Sequence, residues 1–230
     1  MAELWTTELG LVPYAEACKL QLELRERVQG GELPDLLLLL EHPPVYTRGR
    51  RSQPGELPMG EDWYRMQGIE VLDTDRGGRL TYHGPGQLVA YPIMRVADVV
   101  DYLRRMERAI VAALADEGIS AQVREGLTGV WVGERKIGSI GVHLSRGVTT
   151  HGFAVNVAND LQPFEWAVPC GLEGVRMTSV AAETGRPDAI ASFRRQAALR
   201  FAEAVQRRQR LVSPQRLLGR AAPEPAAVGP

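Results

Sequence analysis

Four strand-like segments follow one another between residues 120 and 157, and this run constrains the fold more than any other feature. They cover residues 120–124, 128–132, 136–145 and 148–157. Gly133-Glu134 and Arg146-Gly147 stand between the later segments and suit tight hairpin turns. Strands in consecutive runs, without strict β-α-β alternation, favour an α+β fold with a mixed, largely antiparallel sheet flanked by helices.

The rest of the chain supplies the flanking elements of one predicted domain. Helical patterns cover residues 13–29, 99–117 and 187–209, and further strands are predicted at residues 36–41, 69–73, 79–82 and 87–94. Residues 42–60 have the composition of a loop. We expect a single domain over residues 1–212, large enough to be a catalytic domain. The remaining residues, 213–230, are rich in Pro, Ala, Gly and Arg, and we expect a disordered tail there.

Composition excludes several classes of function. The formal net charge of -1 argues against nucleic acid as the main partner. No apolar run approaches the ~20 residues that a membrane-spanning helix needs, and the N-terminus lacks a secretory pattern. Two cysteines do not make a disulfide scaffold. We therefore expect a soluble cytoplasmic protein that needs neither a membrane nor a metal.

Lys136 and Cys170 are the candidate catalytic residues. Only two of the 27 basic residues are lysine, and Lys136 lies in a glycine-rich strand pattern. Unlike arginine, lysine can release its proton at working pH. Cys170 lies in a Pro-Cys-Gly turn, whereas Cys18 lies on the apolar face of a predicted helix and is interpreted as structural. The pair suggests a thiol nucleophile and its base.

Small residues predict either a groove or close packing beside these two residues. Lys136 and Gly138 should share one strand face, and Gly152 and Ala154 share a face of the next strand. Missing side chains would leave room for a linear apolar chain, but close packing of a helix on the sheet needs the same residues. His83 follows a strand and is either structural or a partner for Cys170.

Three long segments of this chain resemble the lipoyl(octanoyl) transferase family of LipB-type octanoyltransferases. They are RGGRLTYHGPGQLVAYPI at residues 76–93, GVWVGERKIGSIGVHLSRGVTTHGFAVNV at residues 129–157 and PCGLEGVRMTSV at residues 169–180. The segment LLLLLEHPPVYTRGR at residues 36–50 is also similar to the family. The resemblance extends to about residue 199, and the tail lies outside it.

The resemblance implies a fold like the catalytic domain of biotin and lipoate ligases, and a site without a cofactor. Cys170 would carry the acyl group as a thioester, and Lys136 would be its base. The implied acyl pocket consists of Arg76, Gly77, Gly78, Arg79, Leu80, Thr81, Tyr82, His83, Ser139, Ile140, Gly141, Gly152, Phe153 and Ala154. The implied donor is octanoyl-acyl carrier protein. The acceptors would be lipoyl domains of 2-oxoacid dehydrogenase E2 subunits and the glycine cleavage H protein.

Three other functions remain open on the residues alone. An ATP-dependent lipoate or biotin ligase would share the fold but would not need Cys170. A catalytically inactive module would only bind lipoyl domains, and a Cys–His hydrolase would use His83. Arg48, Arg50 and Arg51 form a basic cluster in the predicted loop. It is either a docking patch for acidic partners, or a solvated loop whose arginines have no partner or pair with local carboxylates.

Overall fold

The computed structural model describes residues 1–167 and 175–219, and an eight-stranded mixed sheet is its centre. Three of these strands come first in the chain: β1 (Glu3–Leu11), β2 (Asp35–Glu41) and β6 (Gln87–Ile93). The others are β7 (Gln122–Arg124), β8 (Leu127–Val132), β9 (Arg135–Ser145), β10 (Val148–Asn156) and β11 (Arg208–Leu211). Their order is β11-β1-β2-β6-β10-β9-β8-β7. Only the β11-β1 and β1-β2 pairs are parallel, so the predicted fold class is confirmed.

A smaller sheet lies beside the large one. It consists of β3 (Val45–Arg48), β4 (Glu70–Asp73) and β5 (Thr81–His83) in the order β4-β3-β5. The sequence interpretation placed β3 in a loop, because its four residues are too few to show a period. The short helix α2 (Glu61–Met66) covers this sheet and was also missed.

Helices cover the two faces of the large sheet unequally. Helix α1 (Tyr14–Gln29) packs on one face, against β6 and β10. Helices α3 (Val99–Asp116) and α6 (Ile190–Ala204) pack against each other on the opposite face. Asp98 caps α3, since its carboxylate accepts the backbone N–H groups of Val100 and Asp101. We call the α3/α6 side the helix face and the α1 side the cavity face.

The shorter helices lie in the C-terminal half. They are α4 (Gln162–Glu165), α5 (Val180–Thr184) and α7 (Pro214–Leu218). Among the described residues, none of the helices has the length and apolar composition of a membrane span.

Two predictions about the C-terminal region need correction. The last long helix ends at Ala204, and β11 replaces its predicted final turn by pairing with β1. The tail prediction is wrong for residues 213–219, because Ser213 caps α7 and Leu217 is fully buried against the core. Residues 220–230 lie outside the described part, and the disorder expected there stays a prediction.

An extra residue in β9 decides which way Lys136 points. Val130 pairs with Gly138, but the next residue, Trp131, pairs with Lys136. Ile137 is therefore the additional residue of a β-bulge, and it packs into the core of the helix face. The bulge turns Lys136 to the cavity face.

Candidate active site

A cavity of about 350 Å³ opens on the cavity face of the sheet. Its floor crosses four strands, from Trp131 on β8 over β9 and β10 to Tyr91 on β6. Neighbouring strands lie about 4.8 Å apart, so the step from β9 to β6 is roughly 10 Å. Tyr14 of α1 and the segment before β5 cover this floor.

The cavity brings together most of the residues that the sequence predicted for an acyl pocket. Those in its wall are Arg76, Gly78, Arg79, Leu80, Thr81, His83, Ser139, Ile140, Gly141, Gly152, Phe153 and Ala154. Lys136 lies in the same wall. The acyl-binding role of these residues stays a prediction.

Two predicted pocket residues lie outside the cavity wall. Tyr82 lies between two cavity residues on β5, so strand alternation turns it to the other side, against Tyr46 and Phe164. Gly77 instead connects to β9, where its N–H donates to the carbonyl of Val142 at 3.0 Å.

Lys136 is buried, and its side chain packs closely against the backbone of β8. Its side chain is only 6% exposed. Gly129 on β8 has a φ of +130°, and a Cβ there would lie 2.7 Å from Lys136 Cε. Glycine at this position therefore makes space for the lysine side chain. Lys136 Nζ lies 5.7 Å from the centre of the Trp131 ring, within range of a cation–π interaction.

Gly138 and Gly152 do not form the empty slot that the sequence suggested. The bulge turns Gly138 to the helix face, where a Cβ would lie 3.4 Å from Ile110 and from Val130. A Cβ at Gly152 would collide with the backbone carbonyl of Ala90 on β6. Both glycines therefore serve close packing, so the structure favours that alternative over an open groove shared with Lys136.

Cys170 lies outside the described residues, so its role as a nucleophile stays a prediction. The chain that follows it is described from Val175 and pairs with β9 at Lys136. The N–H of Lys136 donates to the carbonyl of Arg176, and the N–H of Thr178 donates to the carbonyl of Lys136, both at 2.9 Å. Arg176, six residues after the cysteine in the sequence, is thus hydrogen-bonded to the backbone of Lys136.

Buried side-chain amides connect Thr178, which pairs with Lys136, to His83. The Nδ1 of His83 lies 2.6 Å from Gln87 Oε1, and Gln87 Nε2 donates to Asn156 Oδ1 at 2.9 Å. Asn156 Nδ2 donates in turn to the carbonyl of Thr178 at 3.0 Å. Because Gln87 Oε1 only accepts, Nδ1 of His83 carries the proton and Nε2 keeps its lone pair. Burial holds the pKa of His83 well below its usual range, so the ring is neutral at neutral pH.

The hydrogen-bond partners of a second buried histidine, His42, also fix the position of its proton. His42 Nδ1 donates to the carbonyl of Val12 at 2.6 Å, and its Nε2 accepts the hydroxyl of Tyr91 at 2.7 Å. Burial lowers the pKa of His42 to about 4. Its ring meets that of Tyr14 edge to face at 5.1 Å between centroids. His42 is therefore neutral and hydrogen-bonded at both ring nitrogens, next to the cavity residues Tyr14 and Tyr91.

His151 belongs to the same cluster and was missed from the sequence. It has a φ of +57°, and its Nε2 donates to Asp75 at 2.7 Å. Burial lowers the pKa of His151 despite that carboxylate, whereas the hydrogen bond lowers the pKa of Asp75 to about 2. A positive φ in a non-glycine residue marks strain that the surroundings must hold. No sequence signal distinguished this histidine from a surface strand residue.

The predicted basic patch is smaller than expected. Arg48 forms ion pairs with Glu61 at 2.5 Å and with Asp73 at 2.7 Å, and these contacts raise its pKa. Arg50 and Arg51 are exposed, and Arg51 also lies in the cavity wall. A docking role can therefore rest only on Arg50 and Arg51.

Cys18 is placed as the sequence indicated. It lies on α1, and burial raises the pKa of its thiol to about 11. A thiol with so high a pKa is a poor nucleophile at neutral pH. Trp131, Tyr14 and Tyr91 also line the cavity and Gly129 contacts Lys136, and the sequence interpretation did not single them out.

The comparisons with known proteins agree with this geometry. Residues 13–202 match the family model of the lipoyl protein ligase A/B catalytic domain. The chain belongs to this family. An octanoyltransferase from Rubrobacter xylanophilus is 47% identical over 200 residues, covering 85% of this chain and 90% of the relative. The predicted family resemblance is therefore confirmed.

Solved structures support the fold. A bipartite lipoate protein ligase from Thermoplasma acidophilum superposes with a TM-score of 0.74 at 20% identity, covering 93% of this chain and 88% of the other. A biotin protein ligase variant from Aquifex aeolicus, solved with biotin, reaches a TM-score of 0.51 at 13% identity, covering 87% and 70%. The expected likeness to both kinds of ligase domain is confirmed at the level of the fold.

Proposed function

We propose that this protein is an octanoyltransferase that modifies a lysine of lipoyl domains, with octanoyl-acyl carrier protein as donor and Cys170 as the intermediate carrier. The observation that supports this most is the position of Lys136. It lies buried in a cavity whose floor extends roughly 10 Å from β9 to β6, in a chain 47% identical to an octanoyltransferase. An extended eight-carbon chain, with C–C bonds near 1.5 Å, also spans on the order of 10 Å.

The first half of the proposed reaction exchanges one thioester for another. Lys136 takes the proton of the Cys170 thiol, and the thiolate attacks the carbonyl carbon of the donor thioester. The new C–S bond forms as the bond to the carrier's phosphopantetheine sulfur breaks. Lys136 then returns its proton to the departing thiolate, so no ATP is consumed.

The second half moves the acyl group to nitrogen. The neutral amine of the acceptor lysine attacks the Cys170 thioester, and Lys136 accepts the proton that the nitrogen loses. The C–N bond forms, the C–S bond breaks and Cys170 leaves as a thiolate beside the new lysine cation. Arginine could supply the charge in these steps but not the proton transfers.

The test is a transfer reaction without nucleotide. Purified protein is incubated with octanoyl-acyl carrier protein and an unmodified E2 lipoyl domain, in buffer treated with apyrase. An octanoyltransferase should leave an octanoyl amide on the domain, seen by intact mass. A requirement for ATP and free octanoate would favour the ligase reading. Release of free octanoate alone would favour a hydrolase, and complex formation without modification would favour a binding module.

A further inference from the structure

Trp131 carries a buried hydrogen-bond donor that no described group accepts. The side chain is 1% exposed, and its Nε1 has no partner among the residues that the structure describes. A buried donor without an acceptor costs stability, so such a group in a folded protein requires an explanation. By contrast, the indole N–H of Trp5 donates to Glu3 at 2.9 Å.

The alternation of β8 turns Trp131 to the cavity. Its neighbours Val130 and Val132 both pack toward the core of the helix face. Trp131 itself lies in the cavity wall and pairs directly with Lys136 across the two strands. The donor therefore belongs to the same end of the cavity as the proposed base.

Two cations hold the indole ring in place. Lys136 Nζ lies 5.7 Å from the ring centre, and the guanidinium carbon of Arg124 lies 4.6 Å from it. Arg124 in turn forms an ion pair with Glu134 at 2.6 Å and donates to the carbonyl of Gly133 at 2.7 Å. The ring and the amine thus form one positioned unit, as a preorganised donor requires.

Trp131 is also distinct among the unpartnered polar groups of the described chain. Two of these buried, unpartnered atoms belong to described residues of the cavity wall, namely Trp131 Nε1 and His151 Nδ1. His151 Nε2 carries the proton toward Asp75, so its Nδ1 can only accept. Trp131 supplies the unused donor.

We propose that the indole N–H of Trp131 donates to the thioester carbonyl oxygen and stabilises the oxyanion that forms there. This inference rests on the proposed acyl transfer. Both half-reactions place negative charge on the same oxygen when a nucleophile adds to the carbonyl carbon beside Lys136. The hydrogen bond strengthens as the charge develops and weakens when the carbonyl reforms, and it moves no proton. Among the buried side-chain donors in the cavity wall, the Trp131 N–H is the one without a partner in the described chain, and a neutral carbonyl oxygen would satisfy it.

The experiment separates the N–H from the ring. Trp131→Phe removes the donor and part of the ring, whereas β-(3-benzothienyl)alanine at position 131 keeps the bicyclic shape with sulfur in place of N–H. Trp5→Phe is the control, since that indole lies on β1. Rates of acyl-enzyme formation and of transfer to the lipoyl domain are measured in single turnovers across pH. Thermal unfolding checks the fold.

We expect both position-131 variants to lose about 10²-fold in both half-reactions, as for loss of one oxyanion donor. The midpoint of the pH profile should not move, because Lys136 keeps an aromatic face. Rates within threefold of wild type for the benzothienyl variant would overturn the proposal, as would a loss confined to one half-reaction. Wild-type protein that forms no acyl-enzyme would instead refute the proposed function, and the Trp131 proposal with it.

Discussion

The two faces of the large sheet bury very different side chains. The helix face buries mostly apolar side chains, such as Leu114 of α3 and Phe193 of α6, and its buried Glu107 is paired with Arg104. The cavity face buries His42, His83 and Lys136, each at most 6% exposed. Polar groups lose hydration on burial and are stable there only when paired. The contrast indicates that one face provides stability and that the other accepts an energetic cost for chemistry.

Lys136→Arg should separate the two faces most strongly. It keeps the positive charge but prevents proton transfer, so we expect kcat to fall about 10²–10⁴-fold with little change in unfolding temperature. Leu114→Ala on the helix face is the counterpart. It should lower the free energy of unfolding by about 2–5 kcal/mol and leave kcat per folded molecule unchanged. A Lys136→Arg enzyme within a few-fold of wild type near neutral pH would limit Lys136 to a static charge.

Ala154→Leu tests whether the cavity sets the length of the acyl chain. Ala154 lies in the cavity wall on β10, so a larger side chain should occupy space that a long chain needs. We expect kcat/KM to fall at least 10-fold more for octanoyl than for butanoyl donors, on the order of the 1–3 kcal/mol that one methylene is worth in an apolar pocket. Gly152→Val is the packing control, because it should unfold the protein rather than change its selectivity. A uniform loss for both chain lengths with folded Ala154→Leu would assign this wall to packing alone.

The buried histidines should make the cavity face the acid-sensitive side. Burial lowers the pKa of His42 to about 4, against about 6.5 in the unfolded chain. Below pH 6.5 His42 is protonated in the unfolded state but stays neutral in the folded state. Stability should therefore fall as pH decreases from about 6.5 to 4, by about 3 kcal/mol for this residue.

Urea unfolding between pH 7 and pH 4 measures this dependence. His42→Gln should show a shallower slope than wild type, since glutamine does not titrate. His83 and His151, whose pKa values are also lowered, should keep part of the slope in that variant. A wild-type free energy of unfolding that stays constant down to pH 4.5 would mean that these rings are charged in the folded protein.

The smallest expected effect concerns docking at the cavity mouth. Salt screens charge steering over about 8 Å at physiological ionic strength, so kcat/KM for a carrier-bound donor should fall as salt is raised. The double variant Arg50→Gln with Arg51→Gln removes the steering charges and should reduce this salt dependence by a few-fold. Arg48→Gln is the matched control, since Arg48 is already neutralised by Glu61 and Asp73. Equal salt slopes for wild type and the double variant would place the docking surface elsewhere.

The sequence predicted the fold class because the strand patterns of β8, β9 and β10 are long and separated by clear turns. It predicted most of the cavity wall because the resemblance covers three continuous segments. It could not predict the bulge at Ile137, since strict alternation assigns Lys136 and Gly138 to one face. Short elements such as β3 and β11 were missed because their stability comes from pairing with distant strands.

The most direct test of the account is the identity of the residue that carries the acyl group. Protein is mixed with octanoyl-acyl carrier protein without a lipoyl domain, quenched in acid and analysed by intact mass and peptide mapping. We expect one octanoyl adduct on Cys170 that hydroxylamine removes, that is lost in Cys170→Ala and that is kept in Cys18→Ala. An adduct that persists in Cys170→Ala, or transfer by that variant at the wild-type rate, would contradict the account.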